Sequence, residues 1–147
     1  MANPDGLAAG SKNNARGVDL NRNFAARSWI STHAPGYHPG AVPESEPETR
    51  ALARLIEHSG ARRLVALHSP FRTVNYDGPA RALAERMAAA NGYGTSADIG
   101  YPTPGSFGSR YGVDLGFEVI TLEIPDVPFE TAWAENREAL AICLNDL

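Results

Sequence analysis

With a single cysteine, Cys143, in 147 residues, the chain has no partner for an internal disulfide. Cys143 falls in an apolar C-terminal helical pattern, where a thiol is buried and inert. Lysine is almost missing as well, since Lys12 stands alone beside twelve arginines. A net charge of -4 removes the basic footprint that a nucleic-acid partner requires. No window approaches the roughly 18 apolar residues of a membrane span. Met1 to Gly6 carry neither the charged start nor the apolar stretch of a secretory signal. The expected setting is cytoplasmic, with neither nucleic acid nor membrane as partner. Repeats and low-complexity tracts are absent too, and the length suits one domain, residues 1–147, with a real core.

What is present divides the chain in two. Residues 1 to about 45 are dense in Gly, Pro, Asn, Asp and Ser and read as loops and turns, a length that compact folds reserve for a purpose. Ser45 then stands three residues before Glu48, with Pro47 between them, which predicts a capping-box start to a helix over about 46–59 that Gly60 ends. Glu44, Glu46 and Glu48 read as an acidic helix start favoured by the dipole. The apolar run Leu64-Val65-Ala66-Leu67 predicts a strand buried on both faces, with His68 just past its end. Asp77, Gly78 and Pro79 open a helix over about 80–91 with Leu83, Ala84, Met87 and Ala88 on one stripe. A Gly/Pro-rich loop over 92–112 leads to a second buried strand, 118–124, with Glu123 at its carboxyl end. A last helix, about 129–145, sets Trp133, Leu140 and Leu144 on one face.

Buried strands alternating with amphipathic helices indicate an α/β sheet, at least partly parallel. Ligands of such sheets bind at the carboxyl ends of the strands, where His68 and Glu123 both stand. A carboxylate within Val119-Ile120-Thr121-Leu122-Glu123-Ile124 is costly to bury without a task or a partner.

Asn3-Pro4-Asp5-Gly6 followed by Gly17-Val18-Asp19-Leu20-Asn21-Arg22-Asn23-Phe24 resembles the substrate-binding region of the M14 metallocarboxypeptidases. Further matches follow in that family's order: Ser45 to Thr49, Leu67-His68-Ser69, Tyr76-Asp77-Gly78-Pro79, Ile99 to Gly108, and Thr121-Leu122-Glu123. The likeness covers essentially the whole chain. The Gly100-to-Gly108 and Asn14-to-Phe24 stretches are most similar to the bacterial murein peptide amidase branch. The resemblance implies the C-terminal part of a carboxypeptidase-like mixed sheet flanked by helices, a zinc cofactor, and a peptide or murein-peptide substrate cut at its γ-D-glutamyl-diaminopimelate bond.

By the same resemblance His68 is the third zinc ligand, and Glu123 is the general base that passes a proton from water to the leaving amine. Asn21 and Arg22 would hold the substrate's terminal carboxylate, the guanidinium fork matching the carboxylate plane. Tyr101 would close over the substrate, with Ser69 and Phe107 also in the substrate-binding set and Gly108 beside Phe107 lining the pocket. Lys12 stands where the family carries the arginine that stabilises the oxyanion, and it keeps the charge while losing the fork. Asp19 reads as structural. His33, His38 and His58 are not assigned to metal.

The family's other two zinc ligands come from a His-x-x-Glu motif upstream of Asn-Pro-Asp-Gly. Here Gly36, Ala41, Ala61 and Phe71 follow three residues after the four histidines, so the motif is missing. The expectation is a truncated catalytic domain lacking its N-terminal part, with one of three protein ligands left. Two functional readings follow, a zinc-dependent carboxypeptidase or amidase and an inactive remnant that binds peptide carboxylates. A sheet edge and an apolar face exposed by the truncation would favour self-association or pairing.

Overall fold

The computed structural model describes residues 2–145. Four strands form one mixed sheet in the order β1 (Arg63–His68), β4 (Glu118–Glu123), β2 (Thr73–Asp77), β3 (Gly94–Ser96). β1 runs parallel to β4, β2 antiparallel to β4, and β3 parallel to β2. Four helices accompany them: α1 (Pro4–Ala9), α2 (Pro47–Ser59), α3 (Arg81–Asn91) and α4 (Phe129–Asn145). The α/β class with a partly parallel sheet is as expected.

Central β4 sorts its side chains by alternation. Ile120 and Leu122 are fully buried among Val74, Leu83, Met87, Ala139 and Cys143, the core shared with α3 and α4. Val119 goes the other way and joins Phe24, Ile56 and Tyr111 beneath α2. Thr121 and Glu123 share the face of Val119. Register carries that face across the sheet, because paired residues project to the same side. Ala66 and His68 of β1 lie opposite Thr121 and Glu123, and Thr73, Asn75 and Asp77 of β2 lie opposite Glu123, Thr121 and Val119. One face is thus apolar throughout, while the other becomes polar toward the carboxyl end of β4.

Several local expectations are corrected. β1 is an edge strand, half-buried with Leu67 58% exposed, because β4 is its sole strand partner among the described residues. His68 is its last residue. The capping box does not form: Glu46 is the N-cap of α2 without a side-chain cap bond, and Ser45 Oγ instead donates to Glu46 Oε1 at 2.7 Å. On α4 the buried face is Asn136, Ala139 and Cys143, while Trp133 and Leu144 are exposed. Ala80 caps α3 in place of the Asp77-Gly78-Pro79 turn, whose Asp77 ends β2. The 92–112 loop contains β3 and runs into a wide helical turn, Ser109–Asp114.

Candidate active site

The loop-rich first third acquires its shape from buried amides and acids. Asn3 caps α1 by accepting from Gly6 N–H at 2.9 Å, and its Nδ2 donates to the Lys12 carbonyl at 2.9 Å, which positions the Lys12 segment. Asn23 is fully buried: Nδ2 donates to the Pro39 carbonyl (2.7 Å) and to Ser45 Oγ (3.0 Å), while Oδ1 accepts from Glu46 N–H (3.1 Å). Glu46, 1% exposed, accepts from Asn14 Nδ2 at 2.9 Å and lies 3.5 Å from Arg16 Nε. Its role is therefore that of a buried junction between loop and helix, beyond the dipole assigned to it from sequence. Asn14 and Asn23 were quoted only within a motif and Glu46 only in an acidic helix start, since a buried polar hub leaves no periodic signal.

These hubs hold a one-turn 3-10 segment, Leu20–Arg22, against the cleft. Asp19, 2% exposed, caps it by accepting from Asn21 N–H at 3.0 Å and pairs with Lys12 Nζ at 2.7 Å, the structural role expected of it. Lys12 Nζ also sits 3.7 Å from the centroid of the Tyr37 ring. Asn21 Oδ1 accepts from Phe107 N–H at 2.9 Å, and Phe24 N–H donates to the Gly105 carbonyl at 2.9 Å, so the Tyr101-to-Gly108 loop is laced to the Asn21-Arg22 turn. Arg22 is 5% exposed. Its Nη1 donates to the Asn21 carbonyl at 2.8 Å and its guanidinium stands 5.3 Å from the Tyr37 ring, with no carboxylate paired to it among the described residues.

A cleft of about 890 Å³ opens over the polar face of the sheet. Its walls include every residue proposed from sequence for the site: Lys12, Asn21, Arg22, His68, Ser69, Tyr101, Phe107 and Glu123. Asn75, Asp77 and Thr121 contribute to the same walls. His33 and His38 stack on each other with ring centroids 4.8 Å apart, away from the cleft, and His58 bonds to the Arg54 carbonyl of its own helix.

Glu123 is 4% exposed and its Oε2 has no hydrogen-bond partner among the described residues. Burial pushes its carboxyl above the usual range, with the Phe71 backbone pulling partly back. Burial likewise lowers His68, opposed by Asp19 and helped by Arg22 and Lys12, which favours the neutral imidazole, the form able to donate a lone pair. Tyr101 has its phenol raised, first by burial and then by Tyr37, and stays a hydrogen-bond donor. The cleft therefore combines a proton acceptor, a neutral imidazole, a phenol and an unpaired guanidinium.

A catalytic zinc needs three protein ligands. Among the described residues no three His, Cys, Asp or Glu side chains are placed to share a metal ion, and His68 is the only histidine lining the cleft. The donors present here do not by themselves fit such a centre.

Comparison with known proteins identifies the family and the fold. The zinc carboxypeptidase family model matches residues 1–106. Murein peptide amidase A of Escherichia coli K12 is 37% identical over 151 residues, covering 95% of this chain and 62% of the relative. The Vibrio campbellii protein of the same name is 31% identical, covering 97% and 61%. The chain thus spans somewhat under two thirds of the length of these relatives. The crystal structure of murein-tripeptide amidase MpaA from E. coli O157 superposes with a TM-score of 0.83 at 34% identity, covering 98% of this chain and 64% of that one. Carboxypeptidase A from Helicoverpa armigera superposes with a TM-score of 0.79 at 20% identity over 98% of this chain and 49% of that one, which speaks to the fold alone.

Proposed function

This chain belongs to the zinc carboxypeptidase family, and from that premise we propose that its cleft takes the C-terminal end of a peptide, with hydrolysis of the terminal peptide bond as the reaction of the catalytic domain it belongs to. The observation that carries this reading is Arg22, a buried guanidinium with no carboxylate partner among the described residues, in the same cleft as Glu123. A buried unpaired cation calls for an anion, and a planar fork selects a carboxylate. Asn21 adds its Nδ2, since its Oδ1 is already used on Phe107.

In this reading Glu123 takes a proton from the attacking water and returns it to the leaving amine, a task that suits a carboxyl raised by burial. Tyr101, 40% exposed at the cleft mouth, donates to the bound peptide, with Ser69 and Phe107 as further contacts. Lys12 would face the developing oxyanion, although its pairing with Asp19 divides its charge. The likeness to murein peptide amidases makes a γ-D-glutamyl-diaminopimelate bond the favoured substrate. By the family's pattern His68 would be one ligand of a zinc, a centre that the other donors among the described residues do not complete. The edge of β1, which has no second strand partner among the described residues, would be the surface through which the chain pairs.

The lack of a complete metal-ligand set among the described residues favours one second reading, a carboxylate-binding module that does not cut. Calorimetry with zinc and with a murein tripeptide, alongside an assay for released amine, separates the two. Stoichiometric zinc with hydrolysis abolished by Glu123→Gln supports the enzyme. Peptide binding that Arg22→Ala removes, without zinc or turnover, supports the binding module. Absence of any peptide binding refutes both.

A further inference from the structure

No sequence motif singles out Tyr37, yet its ring stands beside three groups on which the cleft depends. The Lys12 ammonium is 3.7 Å from the ring centroid and the Arg22 guanidinium 5.3 Å, both inside the roughly 6 Å over which a ring face attracts a cation. Tyr101 meets the same ring edge-on, with centroids 6.4 Å apart and planes at 61°. Lys12, Arg22 and Tyr101 all line the cleft, so three of its walls' polar side chains share one aromatic neighbour.

Backbone contacts fix that ring in place. The carbonyl of His38, the next residue, accepts from Asp19 N–H at 2.9 Å, and the Pro39 carbonyl accepts from buried Asn23 Nδ2 at 2.7 Å and from Trp29 Nε1 at 3.3 Å. Tyr37 N–H turns back onto the Ala34 carbonyl at 3.1 Å, and Gly40 closes the segment at φ +83°, where a Cβ would fall 2.4 Å from Asn23 Nδ2. The segment is therefore tied to Asp19 and Asn23, the two residues that bracket the Leu20–Arg22 turn, and the same anchors place ring and guanidinium.

Two cations facing one cleft repel each other, and an acid set against both would cancel the attraction that an anionic ligand needs. Asp19 meets Lys12 at 2.7 Å, and no acid among the described residues meets Arg22. A ring face offers another solution, because its quadrupole attracts a cation without carrying a charge and without occupying an N–H donor. We propose that Tyr37 is a positioning residue for the carboxylate site: its ring face holds the Lys12 ammonium and the Arg22 guanidinium at the cleft wall with donors left open, and its edge seats Tyr101 beside them. This rests on the carboxylate-binding reading above. Tyr37 acts through those three side chains and need not touch the peptide.

The test titrates the full chain by calorimetry with a murein tripeptide and with the same peptide amidated at its terminal carboxyl, the ratio of the two affinities measuring carboxylate recognition alone. The unaltered chain should prefer the free acid by at least about tenfold. Tyr37→Phe keeps the ring and should hold that ratio within about twofold, whereas Tyr37→Leu should lower it about fivefold, the loss expected when a partly desolvated cation–π contact goes. Pentafluorophenylalanine at position 37 keeps the ring shape but reverses its quadrupole. It should lower the ratio at least as far while the melting temperature stays at the parent value, a response that a ring serving packing alone would not give. A free-acid preference that survives both Tyr37→Leu and the fluorinated ring overturns the role of Tyr37 and leaves the carboxylate reading standing. An equal loss in Tyr37→Phe also overturns it, by assigning the effect to the hydroxyl. An unaltered chain that binds neither peptide, or both alike, removes the carboxylate reading and this proposal together. Should Tyr37→Leu lose its cooperative unfolding, the fluorinated ring decides alone.

Discussion

Arg22 and Glu46 are both buried and both ionisable, yet they play opposite parts. Arg22 has one backbone carbonyl and no acid among the described residues, so its charge is available to a ligand. Replacing it with alanine should weaken binding of a peptide carboxylate by about 2 kcal/mol or more, with Arg22→Lys recovering a fraction because the charge returns without the fork. Titration calorimetry on both variants checks this. Glu46 instead has its needs met internally. Burial alone would raise its carboxyl, but hydrogen bonds from Ser45 and Asn14 and the charge of Arg16 outweigh that and hold it below its ordinary 4.5. Its folded-state pKa is thus depressed, so the stability it contributes is present above the unfolded value and is lost as pH falls through the folded one. Denaturant midpoints measured from about pH 7 down to about pH 3 should fall more steeply in the parent than in Glu46→Gln, which starts lower and lacks this contribution. A parallel pair of curves would show that Glu46 carries no such linkage.

Between elements, the decisive contact joins two loops. Gly105 adopts φ +69°, and a Cβ there would lie 2.3 Å from the Arg22 carbonyl and 2.8 Å from Trp29. Gly105→Ala should therefore destabilise the chain by roughly 1–3 kcal/mol through left-handed strain and displacement of the Arg22 turn. Its peptide affinity should fall with it, both read from one melting and one titration experiment. Elements of this kind also explain what sequence could reveal. β4 was legible because a central strand is apolar on both faces over most of its length, and α3 because Leu83, Ala84, Met87 and Ala88 repeat at helical spacing. β2 was missed although Thr73, Asn75 and Asp77 alternate with Val74 and Tyr76. Its polar half faces the cleft, so it lacks the solid apolar run by which β1 and β4 were recognised. β1 was found but misjudged as doubly buried, since an apolar run does not say whether a neighbour covers it. His68, Glu123 and Arg22 were legible as a set from motif order and strand ends. Asp77 was quoted within a motif, yet the space it occupies on the cleft wall depends on the absence of side chains at Gly108 and Gly112, which only packing reveals.

Across the whole molecule, the two faces of the sheet are not equally protected at the β1 side. The α3 and α4 core is closed over Ile120 and Leu122, but β1 lies at the end of the strand order with Leu67 58% exposed, and Phe71 just beyond it is 53% exposed. An edge strand with bare backbone donors and acceptors and apolar side chains is a template for another strand. Natural edges are blunted by an inward charge or a lysine, and the Leu64-to-Leu67 stretch carries neither. We expect the 147-residue chain to self-associate, its sedimentation coefficient rising with concentration over the micromolar range. Leu67→Lys should shift the distribution toward monomer, because a charge in the strand disfavours edge pairing while the solvent-exposed side chain leaves the core unchanged. Melting temperature distinguishes this from misfolding: the variant should unfold at the parent temperature when both are dilute. A chain that stays monomeric at all concentrations, melts cooperatively and binds little apolar dye would show that the β1 edge does not act as a pairing surface.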